Sequence, residues 1–275
     1  MRPFISFLTD FGPDSAAAIC HGVMLGIAPD AQIVDISHSV RKYAIRDGAF
    51  LLWSALVWMP VGVHVAVVDP GVGTARRPIG VLTGRGDILI GPDNGLLMPA
   101  ADRLGGIAAV RELENRDWML PDRSATFHGR DVFAPVAANL AIGGRFEDAG
   151  RELDPASLHV LRFPDATVRA GALETSVRYI DSFGNLRLAG TRQDLAEAVG
   201  ALETGLRLRV EFAPDGVSPA TAEDATWART FGEIPIGEPL VYEDSFGELA
   251  YADNQSSVAD RLAIALDREV RITPA

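Results

Sequence analysis

Apolar and polar positions fall into two regimes along the chain. In the first, strand and helix signals alternate. Residues 4–8 form a largely apolar run closed by the turn sequence Thr9-Asp10-Phe11-Gly12. From about residue 15 to 27 the spacing is helical, with Ile19, Val23 and Ile27 on one face and Pro29 as the stop. Residues 32–36 read as a strand, and residues 45–58 as an amphipathic helix ended by Pro60. Residues 63–68 are a continuous valine-rich run, the pattern of a strand buried on both faces. Strands are also predicted at 79–83 and 88–90, and a helix at 131–142. Such alternation implies a mostly parallel sheet in an α/β layer.

The second regime begins after Pro164. Short β-like runs at 175–180, 206–212, 239–242 and 249–251 are separated by turn clusters at 181–185, 214–219 and 244–247, with one helix near 193–199. This pattern predicts a smaller all-β domain, a barrel or a sandwich. With Pro164-Asp165 as the linker, the domains are 1–164 and 165–275.

Composition narrows the functional classes. The chain has 275 residues, enough for one large domain or two smaller ones. No apolar run reaches the roughly 18 residues of a membrane span, and Asp10 interrupts the short N-terminal one, which argues against a signal peptide. The cytoplasm is the default compartment. Cys20 is the sole cysteine, which excludes an internal disulfide or a cysteine metal cluster. A net charge of −12 disfavours nucleic acid as a partner. Lys42 is the only lysine, so no P-loop exists, and a Schiff-base mechanism has one candidate in a polar stretch. Neither a G-x-S-x-G elbow nor an H-E-x-x-H helix is present. His21, His38, His64 and His159 show no metal-ligand spacing among themselves, so no metal site is expected.

In a parallel α/β sheet, ligands bind beyond the carboxyl ends of the strands. Asp10 and Asp69 stand at such ends, although an aspartate there ordinarily caps a helix or closes an Asx turn. The loop from Asp69 contains Gly71 and Gly73 and returns through Arg76 and Arg77; its third glycine position holds Arg76, so it is not a dinucleotide fingerprint. A second polar knot, Thr126-Phe127-His128-Gly129-Arg130-Asp131, precedes an apolar helix, whose N-terminus can aim N–H groups at a ligand. Gly91-Pro92-Asp93-Asn94-Gly95 reads as a structural turn. Asp181-Ser182-Phe183-Gly184-Asn185 and Asp244-Ser245-Phe246-Gly247 are related turns, each offering an aromatic ring between hydrogen-bonding side chains. Spacing alone supports an α/β domain with a polar site, joined to a β domain.

The segments LTDFG (8–12), VVDPGVGTARRP (67–78), GPDNGLL (91–97), TFHGRD (126–131), DSFGN (181–185) and DSFGELA (244–250) together resemble the S-adenosylmethionine hydroxide adenosyltransferase family, the water-using relatives of the fluorinase and chlorinase enzymes. They occur in the family's order and span nearly the whole chain. The resemblance implies a Rossmann-like N-terminal α/β domain, a C-terminal β-barrel, and a homotrimer whose substrate lies between one subunit's N-terminal domain and its neighbour's C-terminal domain. It implies S-adenosyl-L-methionine as substrate, with no separate cofactor. Asp69, Arg76 and His128 match the water-handling triad. Asp10 matches the residue holding the ribose hydroxyls, and Tyr43 falls where the family has an aromatic over the ribose. Phe183 and Asn185 match adenine-side contacts; Asp181 and Ser245 match contacts to the methionine part. Two positions depart from the halogenases. Phe246 stands where they have arginine, which removes the obvious partner of the methionine carboxylate, and Asp253 replaces a basic residue. Contacts near Asn254 and Gln255 are expected through backbone.

The chemistry expected is attack of water on C5′, in line with a C–S bond whose sulfonium leaves as a neutral thioether. His128, if neutral, is the candidate general base, with Arg76 stabilising hydroxide character and Asp69 fixing Arg76. The nearest alternative is a halide-dependent synthase of 5′-halo-adenosine. The position matching Asp69 is not acidic in the halogenases, and a carboxylate repels halide, which favours water. A non-catalytic binder of S-adenosylmethionine or adenosine is a second alternative; a metal-dependent hydrolase lacks a ligand cluster in the sequence.

Overall fold

The computed structural model describes residues 2–216 and 218–275. The chain divides into two compact units, the first ending at Arg162 and the second beginning at Phe163.

The first unit contains strands β1 (Phe4–Thr9), β2 (Gln32–Ser37), β3 (Val63–Val67), β4 (Pro78–Thr83), β5 (Ile88–Pro92) and β6 (Ile107–Glu112), with helices α1 (Ala16–Ile27), α2 (Ile45–Leu56), α3 (Met98–Arg103) and α4 (Ala134–Ala141). Its sheet runs β2-β1-β3-β5-β4-β6. The first four strands in that order are parallel, and β4 pairs antiparallel with both β5 and β6. The expected α/β layer is present; its parallel part ends at β5, where β4 and β5 form a hairpin. Every residue of β3 is buried. Alternation sends Ile5, Phe7, Val63, Val65 and Val67 toward α1 and α4, where Cys20, Met24, Val136 and Ala137 complete one core layer. Leu8 and Val68 face the other way and meet α2 at Gly48. The helix expected at 131–142 opens as a π-turn, Gly129–Phe133, before α4 begins. Such bulges are frequent at functional sites because they re-aim the residues at a helix entry.

A buried polar network anchors the entry end of β3. His64 contacts Ser6 Oγ through Nδ1 at 2.7 Å and Asp87 Oδ1 through Nε2 at 3.0 Å. Arg85 Nε donates to Asp87 Oδ2 at 2.7 Å, and Gly62 N donates to Oδ1 at 3.3 Å. Burial alone would raise the Asp87 pKa, but the bonds from His64 and Arg85 outweigh it and hold the carboxyl well below the usual range.

The second unit contains β7 (Thr167–Arg169), β8 (Ala172–Ile180), β9 (Leu186–Leu188), α5 (Arg192–Val199), β10 (Arg207–Phe212), β11 (Thr221–Trp227), β12 (Pro239–Glu243), β13 (Leu249–Asp253), α6 (Val258–Leu262) and β14 (Glu269–Pro274). The strand order is β14-β10-β11-β12-β13-β9-β8-β7, and β14 also pairs with β8. That pairing closes a seven-stranded barrel with β7 outside it on β8. Of the two all-β architectures open to the sequence, the barrel is the one formed. Leu173, Val177, Leu188, Val210, Phe212, Val241, Tyr251 and Ile272 fill the interior. α5 starts at a reciprocal cap, with Asp194 N donating to Thr191 Oγ1 at 3.3 Å and Thr191 N donating to Asp194 Oδ2 at 2.7 Å. Residue 217, within the turn cluster read at 214–219, lies outside the described residues.

Because the folded-state pKa of Asp87 is depressed, its contribution to stability is fully present above the unfolded carboxyl pKa of about 3.9 and is lost as pH falls through and below it. Chemical denaturation of Asp87→Asn against the parent should show a midpoint loss near neutral pH that shrinks below about pH 4. An equal loss at every pH would assign the effect to packing.

Candidate active site

Asp69 follows β3 by two residues, at the carboxyl edge of the sheet. The loop after it turns back so that Arg76 faces it. Arg76 Nε donates to Asp69 Oδ1 at 3.1 Å, and Nη2 donates to Oδ2. The side chains are 7% and 5% exposed, so the pair is desolvated and bidentate, the stronger kind of ion pair. The loop reaches this geometry because Gly73 has φ +78° and a Cβ there would lie 2.6 Å from Ala125 O. Only glycine allows both the left-handed turn and the approach to the 122–128 segment.

That approach brings His128 to Arg76, with Nη2 and His128 Nδ1 3.1 Å apart. A guanidinium has donors and no acceptor, so Nδ1 must accept. The neutral ring therefore carries its proton on Nε2. Burial lowers the His128 pKa, and the Arg76 charge lowers it further, against opposing pulls from Asp69 and Asp131. Arg76 Nη1 is buried without a hydrogen-bond partner among the described residues, which leaves its two N–H donors unused. The Phe133 ring lies 5.3 Å from the Arg76 guanidinium carbon. Asp131, which the sequence reading quoted only inside a motif, is fully buried and organises the second loop. It accepts from Ser124 N at 2.7 Å and from Arg130 Nε at 2.5 Å. The 91–95 turn is structural, as read: Asn94 Nδ2 donates to Val68 O at 2.9 Å, bracing the residue before Asp69. Asp93 pairs with Arg77 and accepts from His159 N at 2.9 Å.

Asp10 opens the turn after β1 and accepts from Tyr43 N at 2.9 Å through Oδ2. Tyr43 has φ +66° and is 71% exposed, so its ring stands free of its own unit's core. Beside Asp10, Phe11 meets Phe127 edge-on at 5.8 Å, joining the Asp10 turn to the segment that carries His128. The structure thus assembles Asp69, Arg76 and His128 directly, and ties Asp10 to Tyr43.

In the second unit, Asp181 Oδ1 accepts from Phe183 N at 2.9 Å and Asn185 N at 3.0 Å, and Oδ2 accepts from Asn185 Nδ2 at 3.0 Å. The carboxylate is occupied by its own turn, which thrusts the Phe183 ring outward, 78% exposed. Asp181, Phe183 and Asn185 line a hollow of about 520 Å³ together with Phe231, Asp253 and Gln255. Ser245 is not among its lining residues; it is exposed on the β12–β13 turn. Asp253 is consumed by Arg261, which donates from Nε at 2.6 Å and from Nη2 at 2.7 Å. Asn254 donates to Phe231 O and Ile234 O, so its side chain is structural. Sequence reasoning missed Arg187. Its guanidinium carbon lies 4.3 Å from the Phe246 ring centroid, and Nη1 is 3.0 Å from Asp244 Oδ2. A cation therefore stands at the end where Phe246 replaces arginine. A lone arginine inside a short strand gave no sequence signal.

Among the described residues, one group of metal-ligating type is brought together that spacing did not reveal: His21, Asp35 and His38. It shares no residue with the trio.

Comparison with known proteins adds the family. The SAM hydroxide adenosyltransferase N-terminal domain model matches residues 5–150, and the corresponding C-terminal domain model matches residues 175–271. The chain is 44% identical to a (R)-S-adenosyl-L-methionine hydrolase of Salinispora tropica, covering 98% of both chains. It is 31% identical to a fluorinase of an Actinoplanes species, over 100% of this chain and 98% of that one. Among solved structures, a crystal structure of an uncharacterized conserved protein from Thermotoga maritima superposes with a TM-score of 0.89 at 33% identity, over 98% of this chain and 99% of that one.

If Gly73 sets the distance between the two loops, Gly73→Ala should fold with its barrel intact yet lose at least about tenfold in kcat, since misplacement of about 1 Å can cost more than that. Steady-state turnover with circular dichroism as the folding control checks this; unchanged kcat would free Gly73 of the role.

Proposed function

The chain belongs to the SAM hydroxide adenosyltransferase family, and from that premise we infer that it is a hydrolase converting S-adenosyl-L-methionine and water into adenosine, L-methionine and a proton. The relative of 44% identity carries the hydrolase name, while the fluorinase is more distant at 31%. The observation carrying the site assignment is the guanidinium of Arg76 held between Asp69 and His128.

In the reaction, the C5′–O bond forms as the C5′–S bond breaks, and the bonding pair leaves with sulfur as a neutral thioether. The leaving group needs no acid, so the protein's work is at the oxygen. We assign Arg76 Nη1–H, otherwise unpartnered, and His128 Nε2–H as the donors that hold this oxygen and stabilise hydroxide character. This differs from the sequence expectation for His128. With Nδ1 accepting from Arg76, the ring offers a proton at Nε2 and has no free lone pair, so it acts as a donor and not as the base. The water proton passes to solvent. Asp69 balances the guanidinium charge, so the trio presents directional donors without the net positive charge that would collect halide. The 5′-halo-adenosine synthase reading is disfavoured for that reason.

For the substrate we propose Asp10 at the ribose hydroxyls, Tyr43 over the ribose, Phe183 and Asn185 at the adenine, and Asp181 and Ser245 toward the methionine part. The support is that Asp181, Phe183 and Asn185 line one hollow and that the Phe183 and Tyr43 rings are bare. We also propose a homotrimer, which would cover such apolar surface, working in the cytoplasm. No helix among the described residues is long and apolar enough to cross a membrane.

Arg76→Lys removes both the bidentate pair and the second donor, and should lower kcat at least about 100-fold with KM little changed; His128→Ala should fall in the same range. Liquid chromatography of adenosine formed over time checks both, and near-parental turnover in either folded variant would discard the trio. The depressed pKa keeps His128 neutral to lower pH, and its protonation would set Nδ1–H against Arg76. The acid limb of kcat should therefore have a midpoint below about 6.5 and be absent in His128→Asn. In ¹⁸O-water the label should appear in the 5′-hydroxyl of adenosine, and chloride or fluoride should yield no halogenated nucleoside. Label confined to methionine would reject attack at C5′.

A further inference from the structure

α1 and β2 bring two imidazoles and a carboxylate together away from the Arg76 trio. His21 lies on α1, Asp35 on β2, and His38 directly follows β2. His21 Nε2 is 2.8 Å and His38 Nε2 is 3.1 Å from the same oxygen, Asp35 Oδ1. One ligand atom from each residue falls within a 4.8 Å cluster. The side chains are 27%, 43% and 17% exposed for His21, Asp35 and His38, so the group is walled by protein and open to water on the Asp35 side.

His38 separates this arrangement from an ordinary hydrogen-bonded cluster. Its Nε2 is buried and makes no hydrogen bond among the described residues, although Asp35 Oδ1 lies 3.1 Å away. A buried polar nitrogen beside a carboxylate without a bond carries a desolvation cost that a cation held by both would remove. The other ring nitrogen, Nδ1, is 2.8 Å from Thr9 Oγ1. Thr9 is itself fully buried, and its hydroxyl also receives Phe11 N at 3.2 Å. An outer partner of this kind fixes the tautomer and the ring plane of a metal-bound histidine. The Phe7 ring packs against both imidazoles, at 5.7 Å from His21 and 5.0 Å from His38, which restrains their orientation.

We propose that His21, Asp35 and His38 form a binding site for a divalent zinc-class cation, with water completing the coordination. Two imidazoles and one carboxylate suit a late first-row ion and are too poor in oxygen for calcium or magnesium. Binding forms two N–metal bonds and one O–metal bond and needs no oxidant or reductant. The ion would clamp α1 to the end of β2. It would also stiffen the turn carrying Asp10, since Gly12 N donates to His38 O at 2.7 Å. Its role is structural support of that turn.

The experiment is titration of the tag-free full chain with Co²⁺, read by visible d–d absorption, followed by displacement with Zn²⁺. The proposal expects one equivalent bound in a four- or five-coordinate spectrum and a rise in Tm with either ion. Asp35→Asn and His21→Ala should each weaken binding at least about tenfold, and Thr9→Val by about 10–100-fold through His38 alone. Equal binding by the His21→Ala/His38→Ala double variant, or no stoichiometric binding by the native chain, overturns it. Should the double variant fail to fold, zinc-edge X-ray absorption of the native protein decides. Imidazole scattering with Zn–N of about 2.0–2.1 Å supports the site, and its absence rejects it.

Discussion

One guanidinium serves two neighbours of opposite demand. Arg76 gives a carboxylate two donors and an imidazole a third. Because a guanidinium can only donate, its position dictates the tautomer of His128, and therefore what the far side of that ring can offer a solvent molecule. Buried charge of this kind persists only when paired and hydrogen-bonded. Of the five N–H groups on this guanidinium, Asp69 takes two and His128 a third, which leaves the two on Nη1. The loops around it serve this arrangement: the Asn94 bond behind Val68, the Gly73 turn against Ala125, and the bonds of Asp131 to Ser124 and Arg130.

Much of the scaffold was legible because its signals are local. The apolar run at 63–68 is buried throughout β3, and the helical spacing at 15–27 and 45–58 became α1 and α2. What escaped was non-local or short. β14 has only Val270 and Ile272 pointing inward, too few for a periodicity to stand out, yet it closes the barrel. The reversal at β4 was hidden because a hairpin and a parallel crossover place the same apolar residues in the core. The Asp69 and His128 segments stood out as motifs, but the ring's tautomer depends on a contact across 52 residues. His21 and His38 escaped for the same reason: α1 and β2 must first be folded side by side.

The two related turns of the barrel show a division of labour within a motif. In each, the leading aspartate uses one oxygen, Oδ1, to accept two backbone N–H groups of its own turn, at 2.9 and 3.0 Å for Asp181 and at 2.8 and 3.0 Å for Asp244. The aromatic two residues on then goes different ways. Phe183 projects into solvent beside a hollow, while Phe246 lies against the Arg187 guanidinium. The repeated sequence fixes the turn and leaves the use of the ring to its surroundings.

The closing of the barrel by β8 against β14 bears on how the chain is made. All strands of the first sheet have emerged by Glu112, so that sheet can form while synthesis continues. The barrel is different: Leu173 of β8 pairs with Val168 of β7 on one edge, but its other edge waits for Ile272 of β14. Until then, β8 and β10 each present an unpaired edge to the crowded interior of the cell, a template for joining another nascent copy. The charged residues spaced along these two strands, Glu174 on one and Arg207, Arg209 and Glu211 on the other, discourage that pairing until the last stave arrives.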